Sequence, residues 1–142
     1  MKSVNPYLNF DGNTEEAFEF YQSVFGGELQ LVRFKDMDDN MGAKGDDLEK
    51  IANVGLPIAG NTMLMGDDGL SVMGQPITVG NNFSINLEAD SAEEAEKVFN
   101  DLSAGGDITM PLEETEWAEK FGVLTDKYGI TWSVNYSGEK SS

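Results

Sequence analysis

The chain repeats itself at about half its length, and no other feature limits its fold so tightly. Residues 7–27 read YLNFDGNTEEAFEFYQSVFGG, and residues 85–106 read INLEADSAEEAEKVFNDLSAGG. Glu15, Glu16, Ala17, Tyr21 and Val24 match Glu93, Glu94, Ala95, Phe99 and Leu102 at an offset of 78. Gly26 and Gly27 match Gly105 and Gly106 at 79, so one residue is inserted before the second glycine pair. Each copy reads as a strand, a turn, an amphipathic helix and a glycine stop. A chain built this way is expected to be two similar modules facing each other.

In the first module, residues 4–10 alternate β-forming side chains, and Pro6 marks an edge or strand-start position. Thr14 is placed as a helix N-cap, with Glu15 and Glu16 in the first turn, where carboxylates favour the positive end of the helix dipole. Ala17, Phe20, Tyr21, Val24 and Phe25 form one apolar stripe at helical spacing. Gly26 and Gly27 stop the helix. A strand is expected over residues 29–34, then a long acidic loop over 36–50 that is long enough to be a mobile lid. Two further strands, 51–57 and 62–66, are joined by a turn at Gly60-Asn61, and an irregular stretch follows to Asn81.

The second module begins near Asn82. Phe83, Ile85 and Leu87 alternate with Ser84, Asn86 and Glu88, the pattern of a half-buried strand. Ser91 caps a helix with Glu94 three residues on, a capping-box spacing. Ala95, Val98, Phe99 and Leu102 are its apolar stripe. Strands are expected over 107–112, 121–125 and 131–136, with an acidic connector at 113–119 that carries Trp117. Gly60 to Leu64 echo Gly129 to Ser133 at an offset of 69. The whole is an α+β chain of two βαβββ modules, residues 4–67 and 82–136, with a polar, frayed tail at 137–142. Two such modules would form curved mixed sheets with helices outside and a cleft between their concave sides.

Composition removes several kinds of chemistry. With no cysteine there is no disulfide framework and no thiolate, and with no histidine a Ser-His-Asp or Cys-His mechanism is excluded. Twenty-six acidic residues against nine basic ones give a net charge of −17, which argues against nucleic acid or an anionic membrane as partner. No apolar run approaches the ~20 residues that span a bilayer, so a cytoplasmic protein is expected.

Neutral polar residues on the expected strands are the better candidates for a site. Tyr7, Asn9, Asn53, Ser84, Asn86, Ser133 and Asn135 lie there, with Met63, Met65, Trp117 and Trp132 as bulky neighbours. An apolar pocket with a few hydrogen-bonding groups is the usual make-up of a small-molecule site. Strands alternate, so about half of these must point the other way. Asp67 and Glu88 are carboxylates at strand ends and read as turn residues. Asp36, Asp38, Asn40 and Asp47 occupy positions 1, 3, 5 and 12 of a calcium-loop count, but Met41 stands where that loop needs glycine. A solvated loop is the expectation there.

PYLNF, EEAFEFYQSVFGGE, GGD-x-TMPL, W-x-x-x-FG and TDKYGITWSVN together resemble the PhnB-like branch of the glyoxalase/bleomycin resistance/dihydroxybiphenyl dioxygenase superfamily, the vicinal oxygen chelate proteins. The resemblance runs from about Asn5 to Asn135. It implies paired βαβββ modules and a homodimer, and in catalytic members a divalent metal held by first-strand and last-strand residues. Those positions fall near Asn5 or Pro6, Leu64, Ser84 and Ser133, and a third-strand histidine of relatives falls at Asn53. Such side chains are poor ligands for a divalent ion. The expectation is therefore no metal and no cofactor, with a small organic molecule bound in the cleft. The alternative is a metal-dependent lyase, isomerase or dioxygenase with an atypical oxygen-donor site. Relatives that carry a methyltransferase label find no support here, since no glycine-rich nucleotide loop follows the first strand.

Overall fold

The structure, a computed structural model, describes residues 1–140. The chain divides into two compact units, with the boundary between Thr78 and Val79. In the first, β1 (Tyr7–Asn9), α1 (Thr14–Phe25), β2 (Gln30–Arg33), β3 (Ile51–Ala59) and β4 (Thr62–Asp67) are followed by the short helix α2 (Gly69–Val72). Its sheet order is β1-β4-β3-β2, with β1 parallel to β4 and the other pairs antiparallel. In the second, β5 (Ile85–Glu88), α3 (Ala92–Ser103), β6 (Asp107–Glu113), β7 (Lys120–Thr125) and β8 (Thr131–Tyr136) give the order β5-β8-β7-β6. There β5 is parallel to β8. The repeat read in the sequence is thus a repeat of connectivity, βαβββ twice.

Each sheet has one face under its helix. Successive side chains of a strand point to opposite faces, so Leu8, Val54, Leu56 and Leu64 go beneath α1 and are fully or nearly fully buried. Leu124, Trp132 and Val134 do the same beneath α3. Each such side chain contributes about 1.5–3 kcal/mol by leaving water. The helices reach the sheets by the same device. A Cβ on Gly66 of β4 would stand 2.9 Å from Phe18 Cε1, and one on Gly122 of β7 would stand 2.6 Å from Phe99 Cε2. Each helix sets a phenylalanine ring on bare strand backbone.

That contact corrects the expected stripe of α1. Thr14, Ala17, Phe18, Tyr21 and Val24 are its buried residues, while Phe20 and Phe25 are only half-buried. Phe18 packs edge-to-face on Phe10 and Tyr21, with centroids 6.5 and 5.5 Å apart, which the rotated register makes possible. Thr14 is also not a cap. The N-cap is Asn13, without a side-chain bond, and Thr14 is the first helical residue. In α3 the cap is as expected, with Ser91 Oγ accepting from the Glu94 amide at 3.1 Å. Glu94 reaches back to the amide of Asp90, at 2.8 Å.

Thr14 bonds instead to a buried carboxylate. Asp68 Oδ1 accepts from the Thr14 hydroxyl at 2.6 Å and from the amides of Gly12 and Thr14 at 3.0 and 3.2 Å. Asp68 Oδ2 accepts from the Ile51 amide at 3.0 Å. One side chain after β4 thereby fixes the turn into α1 and the start of β3. The second unit uses Asp126 in its β7–β8 turn, accepting from the amides of Tyr128 and Ile130 at 2.8 and 3.1 Å and from Trp132 Nε1 at 2.8 Å.

The long acidic stretch is not an open lid. It folds into two 3-10 turns, Phe34–Asp36 and Gly45–Glu49, and buries Ala43. The Phe34 amide donates to the Lys50 carbonyl at 3.1 Å, which closes its base. Of the expected tail, Gly138–Lys140 forms a 3-10 turn, tied by Lys140 to Glu114 at 2.6 Å, and residues 141–142 lie outside the described residues.

Asp68→Ala would leave three backbone amides without their acceptor. A loss of about 3 kcal/mol in urea unfolding is expected; a loss under about 1 kcal/mol would show that this carboxylate does not hold the unit.

Candidate functional site

The faces turned away from the helices hold most of the polar strand residues, and each unit presents its own. In the first unit the register sets Tyr7 beside Met65 and Asn9 beside Asp67. The Tyr7 hydroxyl donates to Asp67 Oδ2 at 2.7 Å and accepts from Asn53 Nδ2 at 3.3 Å. Asp67 Oδ1 accepts from the Gly69 amide at 2.9 Å. Met63 and Met65 are half-buried on this face, and the Met63 methyl covers Gly55. Burial, with the Asp67 carboxylate second, pushes the Tyr7 phenol up to about 12, against a weaker opposing effect of Asn53. Tyr7 is therefore a neutral hydrogen-bonding group at neutral pH, not a base.

In the second unit the register sets Asn86 beside Ser133 and Glu88 beside Asn135. Ser133 Oγ donates to Asn86 Oδ1 at 2.7 Å, and Asn86 Nδ2 donates to Glu88 Oε1 at 2.9 Å. Asn135 Nδ2 donates to Glu88 Oε2 at 2.8 Å and to Ser137 Oγ at 3.1 Å. Four side chains from two strands thus form one chain of bonds centred on a single carboxylate. Phe121 lies across from Asn135 in the β7–β8 register, and the exposed Trp117 packs edge-on against it at 5.3 Å.

Most of the sequence candidates sit on these faces. Tyr7 and Asn53 are joined by a bond, as are Asn86 and Ser133. Asn9 is exposed beside Asp67, and Ser84 is exposed just ahead of β5. Trp132 is corrected. It is fully buried on the helix side and its indole bonds to Asp126, so it belongs to the core. Leu64 is likewise core and cannot be a face position. Asp67 and Glu88, read as turn residues, are the last residues of β4 and β5, and both anchor the face networks. The signal was available: period-two counting from Tyr7 through Asn9, and from Asn86, reaches the strand pairs that contain both carboxylates.

A divalent metal of the kind the superfamily implies does not fit either face taken by itself. Each offers one carboxylate, already hydrogen-bonded, among neutral amides, a hydroxyl, a thioether and a phenol held protonated. Among the described residues no three of His, Cys, Asp and Glu group to hold a metal ion. In the acidic loop Asp39 and Asn40 accept from the amides of Met41 and Gly42, and Asp47 pairs with Lys50 at 2.8 Å. A separate hollow of about 440 Å³ lies at Gly12, Glu15, Arg33, Glu49 and Lys50. Its cations are matched within the unit, Arg33 to Glu15 at 2.6 Å and Lys50 to Asp47. The Arg33 hydrogen bond holds the Glu15 carboxyl below its ordinary value.

Two βαβββ units of this connectivity are the architecture of the glyoxalase/bleomycin resistance/dioxygenase superfamily, and solved members share it. The profile of the family described as 3-demethylubiquinone-9 3-methyltransferase matches residues 2–135, and the chain belongs to that family. It is similar to protein PA1353 from Pseudomonas aeruginosa, with 38% identity, TM-score 0.84 and coverage of 95% of this chain and 97% of that one. A PhnB protein from Bacillus cereus, a putative 3-demethylubiquinone-9 3-methyltransferase by its description, is 29% identical, with TM-score 0.73 and coverage of 94% and 98%. Protein YjdN of Escherichia coli is 31% identical over 141 residues, 93% of each chain.

The raised Tyr7 phenol has a measurable consequence. Its neutral form is favoured in the folded chain, so its contribution to stability is complete below pH 10 and is lost between 10 and about 12. Absorbance titration of the tyrosinates is expected to show a late component that Tyr7→Phe removes. If Tyr7→Phe removed a component near pH 10 and left the late one in place, the Tyr7–Asp67 bond would be contradicted.

Proposed function

We propose that the protein binds a small organic molecule on the sheet faces turned away from the helices, in the cytoplasm and without using a metal. What supports this most is the preorganisation of the polar face groups. Tyr7, Asn53 and Asp67 in one unit, and Asn86, Glu88, Ser133 and Asn135 in the other, hold one another in fixed orientations. Fixed donors and acceptors flanked by Met63, Met65, Phe121 and Trp117 suit binding, because little side-chain freedom remains to be lost.

The transferase in the family description would need a methyl donor, and the residues present do not fit an adenosyl cofactor. The turn after β1 has a single glycine, Gly12, and its amide is already bonded to Asp68. The parallel pairs β1–β4 and β5–β8 are the first and last strands of their units, not a strand–helix–strand crossover with a glycine-rich turn.

A second reading, metal-dependent catalysis, has one observation in its favour. The strand pairs Asn9/Asp67 and Glu88/Asn135 each place one carboxylate beside one amide at the same step of the connectivity. The first reading accounts for more of the geometry, since both carboxylates already serve in amide and phenol networks.

A fragment screen by ¹H–¹⁵N NMR on the full chain tests the binding reading. Compounds are expected to shift resonances of Tyr7, Asn53, Asn86 and Ser133 saturably, and to raise the melting temperature. A chemically diverse set that moves neither face would contradict it.

A further inference from the structure

The second unit leaves one buried polar atom unserved. Among the described residues, Asn135 Oδ1 is the buried side-chain oxygen without a hydrogen-bond partner, and Asn135 is only 6% exposed. The amide cannot simply be turned over. Its nitrogen already donates to Glu88 Oε2 and Ser137 Oγ, and the reverse orientation would set a carbonyl oxygen against the Glu88 carboxylate. Leaving a buried carbonyl unpaired is costly, so the oxygen is an acceptor that a donor reaching this face would satisfy.

The surroundings define what that donor carries. Glu88 is the one carboxylate of the four-residue network, and both of its oxygens accept from neutral amides. Among the described residues no Lys or Arg forms an ion pair with it, unlike Glu15, Asp47, Asp101 and Glu114, which each have a basic partner. Its charge is thus left uncompensated beside an acceptor that lacks a donor. Phe121, on the strand next to Asn135, and the exposed Trp117, on the connector before that strand, add an aromatic wall.

We propose that this face is a recognition site for a cationic nitrogen group bearing N–H donors, such as an amidinium or ammonium, carried on a planar apolar body. The N–H donors pair with Asn135 Oδ1, Glu88 balances the charge, and Trp117 and Phe121 cover the body. The proposal rests on the small-molecule reading above and names the ligand class for one of its two faces. It requires no covalent step.

Benzamidinium is the probe, titrated against the full chain by ¹H–¹⁵N NMR, with benzoate as the charge-reversed control. A net charge of −17 attracts any cation weakly, so the titration is run at about 0.15 M salt, where the Debye length is near 8 Å. The expected result is a saturable shift of Asn86, Glu88, Ser133, Asn135 and the Trp117 indole, with the buried Trp132 indole unmoved. Glu88→Gln removes one of 26 acidic residues and the charge that balances the cation, and is expected to weaken binding about tenfold, roughly 1.4 kcal/mol. Should Glu88→Gln lose the Trp132 indole resonance and with it the fold, Trp117→Ala on the exposed connector takes its place, with severalfold weaker binding expected. Equal affinity of wild type and the folded variant would overturn the proposal. Shifts at these residues with benzoate and not with benzamidinium would overturn the ligand class and leave small-molecule binding standing. No shift at either face with benzamidinium or with the wider fragment set would overturn both.

Discussion

The two-residue period of the strands is the constraint from which the rest follows. In each unit one long helix, α1 or α3, packs on one face of the sheet, and the polar strand residues collect on the other. Alternation then assigns every strand residue to a side. Leu8, Leu64 and Trp132 go under the helices; Tyr7, Met65 and Ser133, one step away, do not. A one-residue slip of any strand would exchange core for face. Register is therefore what makes the polar networks possible, and the helix-side glycines Gly66 and Gly122 pin it, because only bare backbone admits Phe18 and Phe99 at that distance.

Two buried aspartates then fix the ends of the strands. Asp68 ties the turn before α1 to the start of β3, and so sets the ends of β1, β3 and β4 relative to one another. Its neighbour Asp67 points the other way and bonds to Tyr7. Adjacent carboxylates thus serve the scaffold and the face, which is the alternation at work within two residues. In the second unit Asp126 holds the β7–β8 turn and the indole of Trp132, and Ser133 and Asn135 lie on the side of β8 turned away from α3.

The connectivity was legible in the sequence because repetition is a strong signal and needs no three-dimensional knowledge. Strand existence, the Ser91 cap and most face candidates followed from local pattern. Errors arose where a distant partner decides. Thr14 resembled a cap because its true partner, Asp68, is 54 residues away. Phe20 and Phe25 fitted a helical stripe as well as Phe18 does, and only contact with Gly66 and Phe10 selects among them. Asp67 and Glu88 looked like turn residues because strand ends cannot be placed to one residue by propensity. Trp132 looked like a ligand contact because a large aromatic on a strand fits either side equally well. The acidic loop carried no sign of its closure, which depends on backbone bonds at Phe34 and Lys50 and on ion pairs such as Asp47 to Lys50.

The central claim is that the face carboxylates Asp67 and Glu88 are committed to hydrogen-bonded recognition and not to a metal. Anomalous diffraction from crystals soaked in manganese, and separately in zinc, nickel and cobalt, tests it directly. The account predicts no ordered ion within coordination distance of either carboxylate. A fully occupied ion bound by Asp67 or Glu88 would contradict it.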